Sequence, residues 1–271
     1  MKLQGKIGFL GGGRMAEALI KGILRAGLTD NSRIVAVDPD AERRQYLDET
    51  YAVSTGKSQT MLVDCSVLVL AVKPQIMGLL LEECAEWLNE KHLVISIAAG
   101  IPVSFMEERL GAACRVIRVM PNTPALVLEG ASVLSPGANV TPDDMAVAGH
   151  IFSSIGKSMV LPENYLDAVT GLSGSGPAYV FHFIDALVDG GVKMGLGRQD
   201  AEMLVLQTIL GSVKLALETG KHPAQLKAMV TSPGGTTIAG LHELEKAGFK
   251  AGVMNAVEAA TKRSEELGKL V

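Results

Sequence analysis

The apolar run Ile7-Gly8-Phe9-Leu10 passes straight into Gly11-Gly12-Gly13-Arg14-Met15-Ala16, and this junction constrains the fold more than any other stretch of the chain. A short apolar run ended by glycines predicts a buried strand entering a tight turn. Over residues 14–26, Met15, Ala18, Leu19, Ile23 and Leu24 fall at helical spacing, and Gly27 is placed to cap the end. The spacing Gly11-x-Gly13-x-x-Ala16 fits the dinucleotide fingerprint, with alanine in its third position. Gly11 permits the sharp turn, Gly13 lets a pyrophosphate reach the backbone, and Ala16 allows close packing of helix on strand. The helix N-terminus near Arg14 adds unpaired amides and the positive end of a dipole. The same spacing also occurs in ordinary glycine-rich turns. Its position between a strand and a helix, ahead of a second strand ending in Asp38, favours nucleotide binding through Leu10 to Ala16.

The pattern then repeats. Ile34-Val35-Ala36-Val37 reads as a second buried strand, closed by Asp38-Pro39-Asp40 before a polar helix over 41–50. Residues 67–72 and 93–97 form further strand-like runs, leading into helices after Pro74 and Pro102, and 115–119 adds another. β-Branched runs separated by helices predict an α/β fold, a Rossmann-like doubly wound parallel sheet. Right-handed crossovers set the loops after these strands along one edge, where ligands bind. Asp38 stands where a carboxylate bonds ribose hydroxyls and repels a 2′-phosphate. Arg43 and Arg44 either reach toward that phosphate or cap a solvated helix face, so NADH and NADPH both stay open. Lys73 ends a strand on the same edge, either touching cofactor and shaping the pocket with Pro74 or serving as an ordinary strand-end lysine.

After Met159-Val160-Leu161-Pro162 the strand pattern stops. Helical stretches follow over 178–194, 198–218, 223–230 and 249–267, with apolar residues spread beyond a single stripe. The expected division is a dinucleotide-binding domain over 1–162 and an all-α domain over 163–271. A segment of only about a hundred residues has little interior of its own, so part of that apolar surface is expected to meet a second subunit. Two polar glycine-rich segments interrupt the helices, 171–177 and Thr231-Ser232-Pro233-Gly234-Gly235-Thr236-Thr237. In the first, Ser175 or Gly176 suits an N-cap and Pro177 the first turn. In the second, Ser232 and Pro233 take those places, with free amides at Gly234, Gly235 and Thr236. Such an end either holds a carboxylate or is a plain helix cap.

Bulk composition narrows the choices. A net charge of -4, only 4% aromatics and no clustered basic face argue against nucleic-acid binding. No apolar run reaches membrane-spanning length. Cys65, Cys84 and Cys114 show no disulfide framework or metal spacing, and the opening residues 1–5 lack a signal-peptide core, so a reduced cytoplasmic protein is expected. The five histidines are scattered, His242-Glu243 lacks a second histidine one turn on, and no G-x-S-x-G elbow occurs; no metal site is expected. Asp185 and Asp189 share a helix face and read as structural or interfacial.

Taken in order, Gly11-Gly12-Gly13-Arg14-Met15-Ala16, Ala71-Val72-Lys73-Pro74, Ser96-Ile97-Ala98-Ala99-Gly100, Met120-Pro121-Asn122-Thr123-Pro124, Ser173-Gly174-Ser175-Gly176-Pro177-Ala178-Tyr179 and 231–237 make the chain closely resemble the pyrroline-5-carboxylate reductases over essentially its whole length. The resemblance implies reduction of a cyclic imine to L-proline with NADPH or NADH. It implies a cofactor site at Leu10 to Ala16, Asp38, Ala71 to Pro74, Ala98 and Ala99. Ser58 falls where relatives carry a cofactor-contacting asparagine. The substrate carboxylate is placed against Ser232 and the amides of Gly235 and Thr236, with Thr237 bonding the ring nitrogen as the catalytic residue. Relatives complete this site across a homodimer formed through the helical domain, within a dimer or a larger homo-oligomer. The alternatives are another imine or β-hydroxyacid reductase, for which Lys193 is poorly placed, and a non-catalytic dinucleotide-sensing protein.

Overall fold

The computed structural model describes residues 2–111 and 113–269; the outer limits of the expected domains, Met1 and Val271, lie outside the described residues. Packing divides the chain into two compact units. One holds everything up to Ser175 together with the chain from Glu258 onward, and the other is Gly176–Val257.

The first unit is built on a sheet in the order β3-β2-β1-β4-β5-β6-β7-β8. Its strands are β1 (Lys6–Leu10), β2 (Ile34–Val37), β3 (Ser54–Gly56), β4 (Cys65–Leu70), β5 (Leu93–Ser96), β6 (Arg115–Met120), β7 (Gly130–Pro136) and β8 (Gly156–Val160). The helices are α1 (Arg14–Arg25), α2 (Ala41–Tyr51), α3 (Met77–Ala85), α4 (Val103–Leu110), α5 (Pro142–Ser153) and α6 (Leu166–Val169). Alternate strand residues feed two cores, as a sheet covered on both faces requires. Phe9, Ala36, Val69 and Ile95 pack with Leu19, Ile23 and Phe152 on one side. Leu10, Val35, Leu68 and Val94 pack with Leu81 and Met106 on the other.

The strands read from the sequence, β1, β2, β4, β5 and β6, pair parallel, and two further strands extend the sheet beyond β6. β7 runs antiparallel to β6, and β8 is parallel to β7, so the far edge is reversed. The connection over 121–129 is shorter than the roughly dozen residues a parallel crossover needs, so the chain turns straight back.

α1 ends as its sequence predicts. Leu28 N donates to Ile23 O at 3.1 Å and Gly27 has φ +63°, closing a Schellman turn. Asp40 caps α2, accepting from Glu42 N at 2.9 Å. Arg118, buried on β6, donates to Glu163 Oε1 at 2.9 Å, and the same oxygen accepts from Val103 N at 2.8 Å. One carboxylate thus ties β6, the start of α4 and the entry to α6. Glu163→Ala strands the Arg118 guanidinium and is expected to cost about 2 kcal/mol, less than a fully buried pair because Glu163 keeps some solvent contact. Urea unfolding checks this, and a loss below about 0.5 kcal/mol would show the pair to be idle.

The second unit holds α7 (Gly176–Lys193), α8 (Arg198–Thr219), α9 (Pro223–Met229) and α10 (Thr236–Lys246), with the beginning of α11 (Phe249–Gly268). It has almost no buried apolar side chains of its own. Val188 and Ala201 are covered, while Phe181, Met203, Leu210, Val213 and Leu217 stand exposed. Helices this apolar and this bare require a partner surface. Asp189 meets Arg198 at 2.9 Å in an exposed pair. No single helix among the described residues is long and apolar enough to cross a membrane; α8 and α9 pass such a test only when joined across a 119° bend.

Candidate functional site

Strand ends line up at the carboxyl edge of the sheet through backbone bonds that cross from one exit loop to the next. Gly11 N donates to Val37 O at 2.8 Å, Ala71 N to Leu10 O at 2.8 Å, and Ile97 N to Leu70 O at 3.2 Å. These bonds bring Gly11, Asp38, Ala71 and Ala98 into one row. The row spans the junction of β1 with β4, where the winding reverses and ligands settle in doubly wound sheets.

Gly11 has φ +97°, and a methyl there would stand 2.5 Å from Ala71 O. Gly13, the residue before α1, has nothing within 4 Å of its absent side chain. No side chain among the described residues caps α1, so its leading amides are left unbonded beside that open space. A pyrophosphate fits such a cradle: it needs backbone approach at Gly13 and a helix end whose amides are still free. Ala16 is fully buried, as close packing of α1 on β1 demands.

Asp38 is tied to the cradle. Its Oδ2 accepts from Gly12 N at 2.7 Å and its Oδ1 from Asp40 N at 2.9 Å. Arg43, open to two readings from sequence, is committed to the cradle itself, donating to Gly12 O and pairing with Glu17 while its guanidinium lies 4.8 Å from the Tyr46 ring centre. Arg44 donates to Asp38 O at 2.7 Å. Glu17 also accepts from Tyr46 at 2.9 Å and from Tyr51 at 3.0 Å. Burial works against its charge, but these donors prevail and hold its carboxyl below the ordinary value. Burial and the bond to Glu17 push the Tyr51 phenol up to about 12. Sequence reasoning missed Glu17; the only signal was an acid in the first turn of α1.

Further along the edge, Met15, Ala71, Val72, Lys73 and Ala99 meet Met120 and Pro121 around a cleft of about 260 Å³. The cleft thus gathers five of the expected cofactor residues. Pro74 and Ala99 also border an adjoining cavity. The Lys73 ammonium has no hydrogen-bond partner among the described residues. Ser58 is occupied locally, its hydroxyl 2.8 Å from Thr60 Oγ1 and accepting from Thr60 N, as a cap for the short turn that follows.

The segment 171–177 departs from the expected loop. Residues Thr170–Gly174 form a π-helical turn continuous with α6, closed by Ser175 N donating to Thr170 O at 2.8 Å, and Ser175 stands directly before α7. Small residues let the helix widen, and the carbonyl of Ser173 that this frees accepts from Asn122 Nδ2 at 3.0 Å. Asn122 Oδ1 accepts from Ala131 N at 2.8 Å, so the Met120-Pro121-Asn122 motif anchors the turn to β7.

In the second unit the loop 231–237 also needs a correction. Gly235 N already donates to Ser232 O at 3.1 Å, closing a turn through Pro233 and Gly234, whose φ is +64°. α10 therefore starts later than Ser232 suggests, with Gly235 as its N-cap and no side chain capping it. The amides left without an acceptor among the described residues are those of Thr236, Thr237 and Ile238. A side chain at Gly235 would meet Ser232 Oγ at 2.2 Å, so glycine is what lets that hydroxyl fold over the helix end. Thr237 is half-buried, and its hydroxyl has no partner among the described residues.

The three cysteines take no part. Burial pushes the thiols up, Cys65 to about 11 and Cys84 to about 12, and Cys114 in the same direction. Native protein is expected to give no rapid reaction with a disulfide reagent at neutral pH and three thiols after denaturation. One fast-reacting native thiol would contradict this burial.

A glycine turn with room for a pyrophosphate, a fixed carboxylate at the end of β2 and a cleft beyond them match the class of dinucleotide-dependent oxidoreductases. Comparisons with known proteins carry this further. A family model described as pyrroline-5-carboxylate reductase dimerisation matches residues 163–267. Another, described as NADP oxidoreductase coenzyme F420-dependent, matches residues 6–100. The chain is 47% identical to the pyrroline-5-carboxylate reductase of Methanosarcina acetivorans, across 97% of this chain and 98% of that one. The solved pyrroline-5-carboxylate reductase of Coxiella burnetii superposes with a TM-score of 0.92 at 36% identity, covering 98% of this chain and 99% of the other. The Plasmodium falciparum enzyme, solved with NADP bound, gives 0.89 at 38% identity, covering 99% and 100%.

The chain belongs to the pyrroline-5-carboxylate reductase family. It is the NAD(P)H-dependent enzyme that reduces L-1-pyrroline-5-carboxylate to L-proline in proline biosynthesis. Its helical segment is a dimerisation domain, which accounts for the bare apolar helices and makes the protein a homodimer.

Proposed function

We propose that the reaction takes place between the carboxyl edge of the sheet in one subunit and the loop 231–237 of its partner. The observation that supports this most is the start of α10, where the Thr237 hydroxyl and three unbonded amides share one helix end. In this reading the hydroxyl of Ser232 and the amide of Thr236 hold the substrate carboxylate at the positive end of the α10 dipole. Gly235 serves by leaving room for Ser232. The hydroxyl of Thr237 accepts from the N–H of the protonated ring nitrogen and fixes the ring plane.

Leu10 to Ala16, Asp38, Ala71 to Pro74, Ala98 and Ala99 hold the dinucleotide, with Ser58 at the edge of its reach. NAD(P)H when bound supplies the hydride for the imine carbon. The carbon of a protonated imine is already electrophilic, so the chain's task is alignment and shielding from water. As the carbon is reduced, the nitrogen becomes a secondary amine and gains a lone pair. The Thr237 hydroxyl is able to donate to that lone pair without changing place. A sparse site of this kind needs no acid–base pair.

The boundary near Pro162 marks the start of the substrate-binding and dimerisation segment in function, although packing places 163–175 with the sheet. The compartment is cytoplasmic, and the dimer acts alone or as the unit of a larger homo-oligomer. Following the loss of NAD(P)H absorbance with pyrroline-5-carboxylate tests the site, given Thr237→Ser beside Thr237→Ala. The serine variant retains most of the rate because it keeps the hydroxyl. Equal loss in both variants would remove the hydroxyl from the mechanism.

A further inference from the structure

We infer that the ribose end of the cofactor site is built to refuse a 2′-phosphate, so that this chain uses NADH in preference to NADPH. The inference rests on the cofactor placement proposed above and adds the residues that choose between the two nucleotides.

Asp38 and Asp40 put two carboxylates where β2 gives way to α2, the place a dinucleotide's adenine ribose occupies in this fold. Neither is a loose side chain. Asp38 is clamped by Gly12 N and Asp40 N, and Asp40 caps α2 through Glu42 N. A carboxylate fixed in this way still has lone pairs for a ribose 2′-hydroxyl, which donates. A 2′-phosphate has no donor to offer and brings like charge to a half-buried carboxylate, which disfavours it.

Acceptance of the phosphate would need a cation free to reach it. Arg43 is spent on the carbonyl of Gly12 and on Glu17, which two tyrosine hydroxyls hold in place. Arg44 is anchored through Nη1 to the carbonyls of Asp38 and Pro39, at 2.7 and 2.9 Å. Arg43 is thus held to the cradle and Arg44 to the β2–α2 turn, so neither swings freely toward a phosphate. Lys57 also lies near this edge: it follows Gly56, whose carbonyl accepts from Asp38 N at 3.1 Å, and it is exposed. One exposed ammonium in solvent is a weak counterweight to two fixed carboxylates. The Plasmodium falciparum relative carries NADP, so the fold admits the phosphate and the selection lies in these side chains.

Calorimetric titration of the purified dimer with NADH, NADPH, AMP and adenosine 2′,5′-bisphosphate tests this without turnover. NADH is expected to bind at least about tenfold more tightly than NADPH, and AMP more tightly than the bisphosphate. Equal or tighter binding of the 2′-phosphorylated partner in either pair would overturn the inference. Asp38→Asn keeps an acceptor for Gly12 N and removes the charge, and it should move the NADPH-to-NADH affinity ratio toward NADPH by about tenfold. Glu17→Gln, which loosens Arg43, should move it the same way. A ratio unchanged in both variants would overturn the assignment. Lys57→Ala is expected to leave the ratio within about twofold, and a selective loss of NADPH binding there would show that Lys57 recruits the phosphate after all. Turnover of pyrroline-5-carboxylate is run beside the titrations. Nucleotide binding without turnover would count against the proposed reaction site, while the affinity ratio would still decide the preference.

Discussion

Thr237→Ala is expected to lower kcat/KM for pyrroline-5-carboxylate by roughly a hundredfold, with NAD(P)H affinity unchanged within about twofold. The hydroxyl is the one side-chain group on its helix end without an internal partner that also sits half-buried, beside the amides of Thr236 and Ile238. Removing it leaves those amides in place, so substrate carboxylate binding should survive better than kcat. The loss should therefore fall chiefly on kcat, as expected when an interaction matters most while the nitrogen changes its bonding. A variant as fast as the native enzyme would take Thr237 out of the mechanism. A variant that lost cofactor affinity in parallel would point to a structural role.

Gly11→Val is expected to weaken nucleotide binding by about a hundredfold or more while the dimer stays assembled. The cause is backbone conformation together with crowding. Gly11 sits at φ +97°, where a β-branched residue is strained, and its first side-chain atom would press on the Ala71 carbonyl. The Ala71 amide is bonded to Leu10 O at 2.8 Å, which holds this residue close against the turn. The turn is therefore expected to lift from the strand edge, taking Gly13 and the free amides of α1 with it. Calorimetry for NADH and sedimentation for the dimer separate the two consequences. Affinity within about threefold of native would mean that the turn is not the phosphate cradle.

Much of this architecture was legible in the sequence because its signals are local. The apolar runs in β1, β2, β4, β5 and β6 each exceed what a solvated segment carries, and Gly27 and Asp40 mark helix ends by their own chemistry. The reversed edge was not legible. β7 and β8 interleave serine, glycine and lysine with apolar positions, so neither alternation nor a continuous run stands out. Their pairing comes from the shortness of the 121–129 connection and from the neighbouring strand.

The site divides in the same way. The glycine cradle and Asp38 follow from spacing along the chain. The engagement of Arg43 by Glu17 depends on two helices meeting, which no spacing reveals. The π-helical turn at Thr170–Gly174 was hidden for another reason, since glycine and serine there read as a loop until Asn122, far away in the chain, takes up the Ser173 carbonyl. The Gly235 amide read as free because its acceptor, Ser232 O, is reached only through the turn at Gly234.

Mixing the two variants argued above tests the central claim, that each site is completed across two subunits. Gly11→Val lacks a working cradle and Thr237→Ala lacks the substrate-side hydroxyl, so each is nearly inactive alone. Unfolding and refolding them together in equal amounts gives mixed dimers in which one site has both native halves. Activity should recover to about a quarter of that of the native enzyme, the fraction of intact sites that random pairing produces. No recovery, with mixed dimers shown to have formed, would contradict a site shared between subunits and place both halves in a single chain.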